Sequence, residues 1–259
     1  MSAKYWNRLA FERALWEKGI RQVAGVDEAG CGPLAGPVVA AAVVFPSGWL
    51  QTGLAGRLRG LNDSKQLTEE EREKFFNVLT SHPEIRYGIA SVAVELIDQI
   101  NILRAAHRAM SLALEQLQPP PEHVLVDGRP VKSLRFPSTA LVKGDARSYS
   151  IAGASVLAKV TRDRMMVEFG RQYPAYGFAE HKGYGTPQHL AALTEHGPCA
   201  IHRRSFAPFH PVAQELFQTT EPSAGASDHP PCVPPAGRSA QEAGLSSGDG
   251  CSTRITPPP

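Results

Sequence analysis

Two apolar runs separated by a glycine-rich turn constrain this chain more than anything else in it. Val23 to Val26 forms a short run, and Pro37 to Phe45 (PVVAAAVVF) a longer one without a polar residue. The second reads as a strand buried on both faces, so the chain must supply cover on both sides of a sheet. Between the runs lies Gly25-Val26-Asp27-Glu28-Ala29-Gly30-Cys31-Gly32-Pro33, which sets two adjacent acids where a strand leaves the core. Strand alternation points neighbouring side chains to opposite faces. Asp27 and Glu28 therefore serve one site only if the chain bends there, and Gly30 and Gly32 tolerate the positive φ that a bend demands. A polar strand end followed by a turn accounts for the segment equally well.

The remaining pattern predicts strands over 22–28, 37–45, 86–94, 123–127 and 139–143. Helices are expected near 5–18, 68–81, 95–117, 146–171, 187–196 and 211–217. Thr68 with Glu71 three residues on marks a capping box ahead of Phe75, Phe76, Val78 and Leu79. Early strands followed by strands alternating with helices predict an α/β domain, with a mixed five-stranded sheet, helices on both faces and a small C-terminal helical part. That domain is expected to fill residues 1–217. Residues 218–259 hold eight Pro, five Gly and six Ser but no Phe, Tyr, Trp or Lys, too little apolar surface to offset ordering entropy, so a disordered tail is expected.

The tail carries Arg238 and Arg254 against Glu221, Asp228, Glu242 and Asp249, which leaves 25 basic and 21 acidic groups in residues 1–217 and raises the formal charge from +2 to +4. A polyanionic partner is compatible with that excess if the cations cluster. Cys31, Cys199, Cys232 and Cys251 show no C-x-x-C spacing, so neither a zinc site nor a disulfide framework is indicated. With charges at Lys4, Arg8, Glu12, Arg13, Glu17 and Lys18, the first twenty residues lack an apolar core segment, so no leader is expected there, and no stretch reaches the roughly 18 apolar residues of a membrane helix. A cytoplasmic protein is expected.

Two more acids take comparable positions, Asp127 at the end of HVLVD and Asp145 ahead of the helix expected from 146. Asp127-Gly128 is also an ordinary turn dipeptide, and Asp145 also suits an N-cap. Four acids at strand ends or a helix start are harder to dismiss together. Clustered carboxylates repel unless cations neutralise them, and hard oxygen ligands suit Mg²⁺ or Mn²⁺.

These acids sit within motifs that resemble bacterial ribonuclease HII: the run from Gly25 to Val43, Asp63-Ser-Lys-Gln-Leu-Thr, Val126-Asp-Gly, Lys143-Gly-Asp, Ala158-Lys-Val-Thr-Arg-Asp, His181-Lys-Gly-Tyr-Gly-Thr and His202-Arg-Arg-Ser-Phe. The resemblance spans roughly residues 20–210, with seven motifs in family order. It implies an RNase H-like fold and a catalytic, metal-binding set of Asp27, Glu28, Asp127 and Asp145. It further implies Mg²⁺ or Mn²⁺, and cleavage of RNA in RNA–DNA hybrids and 5′ of single ribonucleotides in duplex DNA, leaving 3′-hydroxyl and 5′-phosphate ends. Two ions about 3.5 to 4 Å apart suit such an in-line displacement.

By the same resemblance, the Gly30-Cys31-Gly32 turn places backbone against the ribose and senses its 2′-hydroxyl. The family ordinarily has Arg where this chain has Cys31, which removes a guanidinium suited to a phosphate. Tyr184 matches the tyrosine that packs on the sugar at the RNA–DNA junction. Lys65, Lys143, Arg147, Lys182, Arg203 and Arg204 are candidate phosphate contacts. Arg162, Asp163 and Arg164 read as structural, the small residues of Ile151 to Ala158 as close packing without chemistry, and His181, His189, His196 and His202 as lying outside the metal site. A monomer is expected. Ribonuclease HIII, the sister family, carries an extra N-terminal domain that the short segment before the first strand does not supply. A non-catalytic hybrid-binding protein on this scaffold is the alternative of another class, and loss of an acid would be its mark.

Overall fold

A computed structural model describes residues 8–48 and 54–209. The helix expected near 211–217, the tail, and the first residues of the helix expected from 5 lie outside the described residues. Five strands, β1 (Val23–Ala29), β2 (Val38–Val44), β3 (Arg86–Val92), β4 (His123–Asp127) and β5 (Ser138–Leu141), form one sheet in the order β3-β2-β1-β4-β5. β1, β2 and β3 pair antiparallel, whereas β4 lies parallel to both β1 and β5. The helices are α1 (Ala10–Trp16), α2 (Leu54–Arg57), α3 (Glu69–Ser81), α4 (Val94–Ile100), α5 (Ile102–Glu115), α6 (Tyr149–Gln172), α7 (Phe178–His181) and α8 (Pro187–His196). Among the described residues no helix is long and apolar enough to cross a membrane.

Every residue of β2 is buried, as its unbroken apolar run requires. Val39, Ala41 and Val43 pack with Leu79 of α3 and Ala152 and Val156 of α6, while Val38, Ala40, Ala42 and Val44 meet Ala105, Ala109 and Met110 of α5. Small residues let the helices come close. A Cβ on Gly25 would lie 2.2 Å from the carbonyl carbon of Ser150, and one on Gly88 would lie 2.1 Å from the Ala113 carbonyl oxygen. The glycine in β1 thus admits the start of α6 directly over the strand that carries Asp27.

Local signals explain where the elements start. The expected capping box is present, with Thr68 accepting from the Glu71 amide at 3.2 Å and the Glu71 carboxylate accepting from the Thr68 amide at 2.8 Å. The single helix expected over 95–117 is instead α4 and α5, broken at Asn101, whose φ of 69° interrupts the helix while its side chain caps α5 by accepting from the Arg104 amide. The helix expected from 146 begins at Tyr149 with Ser148 as its N-cap, after a 3₁₀ turn at Gly144–Ala146. Asp145 is therefore not that helix's cap. Glu12, one of the N-terminal charges, is buried and accepts from both the amide and hydroxyl of Ser150 and from the Ser148 hydroxyl, tying α1 to the start of α6.

Candidate active site

The acids meet because of strand register. Val26 pairs with Val126 across the parallel β1–β4 ladder, and Asp27 and Asp127 each follow one residue on, so their side chains leave the same face of the sheet at neighbouring C-terminal ends. The 3₁₀ turn then delivers Asp145. Asp127 holds that turn in place, its carboxylate accepting from the Gly144 amide at 2.7 Å. Gly144 has no room for a side chain, since a Cβ there would lie 2.6 Å from Cδ1 of Ile151. Carboxylate oxygens of Asp27, Asp127 and Asp145 consequently lie within 4.8 Å of one another.

β1 continues without a bend through Ala29, so Glu28 leaves the opposite pleat and stands outside this three-acid group. It still lines the same cleft, where its carboxylate accepts from the Cys31 thiol, with 3.5 Å between Sγ and Oε1. Burial, followed by the charges of Glu28 and Asp127, raises the Asp27 carboxyl well above the ordinary range. Glu28 is raised mainly by burial, and Asp145 by burial followed by Asp127 and Asp63. Burial and the adjacent Glu28 push the Cys31 thiol up to about 12, so it remains a neutral donor. The cleft encloses about 470 Å³ and gathers Asp27, Glu28, Asp127, Asp145, Gly30, Cys31, Gly32, Lys65 and Tyr184.

In comparison with known proteins, residues 24–209 match the family model for Ribonuclease HII. The chain belongs to the ribonuclease HII family. It is 50% identical over 198 residues to Ribonuclease HII of Ruminiclostridium cellulolyticum, covering 76% of this chain and 74% of that protein. Against Ribonuclease HII of Geobacillus kaustophilus the identity is 50% over 214 residues, covering 82% and 79%. Among solved structures, ribonuclease H2 from Pyrococcus horikoshii is similar with a TM-score of 0.59 at 30% identity, over 72% of this chain and 94% of that one. The fold is shared with Bst-RNase HIII, solved in complex with Mn²⁺, at a TM-score of 0.56 and 17% identity over 76% and 71% of the two chains. Membership makes the chain an enzyme, a ribonuclease H acting on RNA–DNA hybrids, and its acid cluster suits a divalent metal.

The family's glycine turn is set from beneath. Gly30 has φ 100°, and a Cβ there would lie 2.2 Å from Nε of Arg162. Buried Arg162 donates to the carbonyls of Ala35, Pro37 and Lys182. Arg203 was expected to contact phosphate, but it is buried and donates to the carbonyls of Gly30, Cys31 and Gly36. A guanidinium committed to three carbonyls cannot also face solvent, so Arg203 is a strut of the turn. Tyr184 stands at the rim, 46% exposed, with its ring edge 3.7 Å from where a Gly32 Cβ would be.

Of the other expected phosphate contacts, Lys65 lines the cleft, whereas Lys143, Arg147, Lys182 and Arg204 do not. Arg147 lies over the Phe11 ring and donates to the Val142 carbonyl, and the Lys182 ammonium folds back onto the Ala179 carbonyl. Ser155, assigned to packing alone by sequence, hydrogen-bonds the Asp27 carboxylate, and its hydroxyl lies 2.9 Å from that of Ser64. Asp63 reaches Asp145, and its place in a turn next to Ser64-Lys65 is the signal that could have drawn attention to it. His189 and His202, separate in sequence, meet at 3.0 Å between their Nε2 atoms. His202 Nδ1 accepts from the Cys199 amide, so its Nε2 carries the proton donated to His189, whose Nδ1 in turn donates to the Tyr184 carbonyl at 2.9 Å.

Proposed function

We propose that this chain is an endonuclease that cuts the RNA strand of RNA–DNA hybrids and cuts 5′ of single ribonucleotides in duplex DNA, leaving 3′-hydroxyl and 5′-phosphate ends. The observation that carries the proposal is the convergence of Asp27, Asp127 and Asp145 within 4.8 Å, beside a glycine turn whose backbone faces the same cleft. The donor set fits hard divalent cations: clustered carboxylate oxygens without sulfur or imidazole, with burial and neighbouring charge disfavouring ionisation of Asp27 and Asp145 until a cation compensates. Asp27, Asp127 and Asp145 would hold Mg²⁺ or Mn²⁺, with Glu28 completing the set from the other pleat. When bound, such ions supply an activated water and stabilisation of the leaving oxygen.

The chain's own residues do the rest. Ser155 and the Glu28 amide orient the Asp27 carboxylate, and the Gly144 amide orients Asp127. Backbone groups of Gly30, Cys31 and Gly32 meet the ribose, Tyr184 packs on the neighbouring sugar, and Lys65 neutralises phosphate at the cleft edge. A duplex carrying one ribonucleotide, incubated with the protein and Mg²⁺ or Mn²⁺, tests the reading. Cutting 5′ of the ribonucleotide, abolished by EDTA and lowered roughly a thousandfold by Asp145→Asn, is expected, a loss equivalent to about 4 kcal/mol of transition-state stabilisation. Near wild-type cutting by Asp145→Asn, or a different end chemistry, would sink it.

A further inference from the structure

A second charged cleft, of about 960 Å³, lies between α5 and the segment that joins β4 to β5. Arg104 and Arg108 line one wall and Lys132 and Arg135 the other, against a single acid, Glu115. All four cations are exposed, and among the described residues no ion pair engages them. Arg104 and Arg108 stand one turn apart on α5, about 6 Å along its axis. The floor between the walls includes Leu103, 62% exposed, and the half-buried Leu134 and Phe136.

The cleft opens close to the acid cluster. Pro130 on its lining is three residues beyond Asp127, and a fully extended chain of that length spans at most about 11 Å. We propose that this cleft holds the phosphate backbone of the duplex flanking the cut, so that α5 and the β4–β5 segment form a second nucleic-acid contact beyond the catalytic cleft. The inference rests on the function proposed above. Four unengaged cations match a polyanion, and contacts to phosphate position a substrate without reading its sequence. An acidic protein segment would meet the same charges, but nothing about such a segment calls for a cleft whose lining begins three residues from Asp127, whereas a duplex cut at the acid cluster continues past its ends.

The test compares the full chain with Arg104→Gln/Arg108→Gln, and with Arg13→Gln/Arg171→Gln as a control that removes two cations paired elsewhere with Glu17 and Glu168. Binding is measured in Ca²⁺ across a salt series, on duplexes carrying one ribonucleotide with flanks of increasing length and on all-DNA duplexes of matching length. Two phosphate contacts steepen the salt dependence by about 1.8 log units per log unit of salt, so between about 50 and 200 mM the full chain should lose about tenfold more affinity than the groove variant. That difference should emerge as the flank lengthens and be absent from the control variant. Equal salt slopes for the full chain and groove variant overturn the proposal, as does an equal loss at every flank length. Competition by polyglutamate without any effect of the variant on nucleic-acid binding assigns the cleft to an acidic segment and also overturns it. If the full chain binds duplexes through this arginine pair yet fails to cut at the ribonucleotide, the catalytic reading falls and the groove stands.

Discussion

In the metal-free protein, Asp27→Asn should make the fold more stable while abolishing cleavage. Asp27 is 5% exposed and shares a 4.8 Å neighbourhood with two other carboxylates. Two unit charges at about that separation repel by about 3.5 kcal/mol at an effective dielectric of about 20. Proton uptake and the solvent reaching Asp127 and Asp145 relieve part of this, which leaves about 2 kcal/mol to be gained by neutralising the buried member. Asn keeps the shape and can retain the carbonyl oxygen that accepts from the Glu28 amide at 2.7 Å, so little is lost in exchange. At about 2 to 4 °C per kcal/mol for a domain of this size, the melting temperature in EDTA should rise by about 4 to 8 °C.

The pH dependence has a defined sign. A carboxyl whose folded pKa is raised binds its proton more tightly in the native state, so stability in EDTA falls as pH rises from the ordinary carboxylate value through the raised one. A divalent cation reverses the loss, and the wild type should gain more melting temperature from Mn²⁺ at pH 8 than at pH 5, whereas Asp27→Asn gains little at either. Calorimetric melts at both pH values, with EDTA and with Mn²⁺, measure all of this. A fall in the EDTA melting temperature of Asp27→Asn would show that Asp27 is held by favourable contacts and refute the reasoning.

Arg162→Met should lower the melting temperature by about 6 °C, because three carbonyls, two of them in buried hydrogen bonds, lose their donor at about 1 kcal/mol each; a thermal melt within about 2 °C of wild type would contradict the strut. His202, held down at about 4 by burial and by His189, refuses in the native state a proton that the unfolded chain takes near pH 6.5. Its contribution, up to about 3 kcal/mol, is present above pH 6.5 and lost as pH falls toward 4. Urea midpoints in saturating Mg²⁺, which holds the acid cluster ionised, should show this slope in the wild type and not in His202→Gln. Cys31→Arg should tighten binding of a single-ribonucleotide duplex about tenfold by adding one charge-assisted phosphate contact, with a gain that fades as salt rises; unchanged affinity in a Ca²⁺ titration would place the turn farther from phosphate than proposed.

How much of this was legible in the sequence depends on how local each signal is. The strands that carry Asp27 and Asp127 announce themselves by apolar runs ending in acid and glycine, and those runs fix the sheet. Asp145 and Ser148 are both good caps in isolation, and local pattern cannot choose between them. The choice is made by Gly144 packing against Ile151 and bonding Asp127, contacts that exist only once β4 and α6 are assembled. Nothing local marks Glu12 as buried, Arg162 reads as structural without its partners, and Arg203 reads as a phosphate contact, because polar residues are usually exposed and only the three-dimensional structure supplies the carbonyls and hydroxyls that satisfy them. The basic cleft has no local signature for a related reason, its cations being divided between α5 and a loop 24 to 31 residues later.

The same distinction explains why Cys31 can stand where the family ordinarily has arginine. The conformation of the turn is imposed on its backbone, not on its side chain: Arg203 binds the Gly30 and Cys31 carbonyls, Arg162 fills the space a Gly30 Cβ would need, and Gly30 supplies the positive φ. The side chain at position 31 carries none of these constraints. Its thiol instead packs partly against the α5 face of the sheet and donates weakly to Glu28. Exchange at 31 therefore alters what the turn offers a phosphate without moving the backbone proposed to meet the ribose, so Cys31→Arg should change affinity and salt slope while leaving the position of the cut where it is.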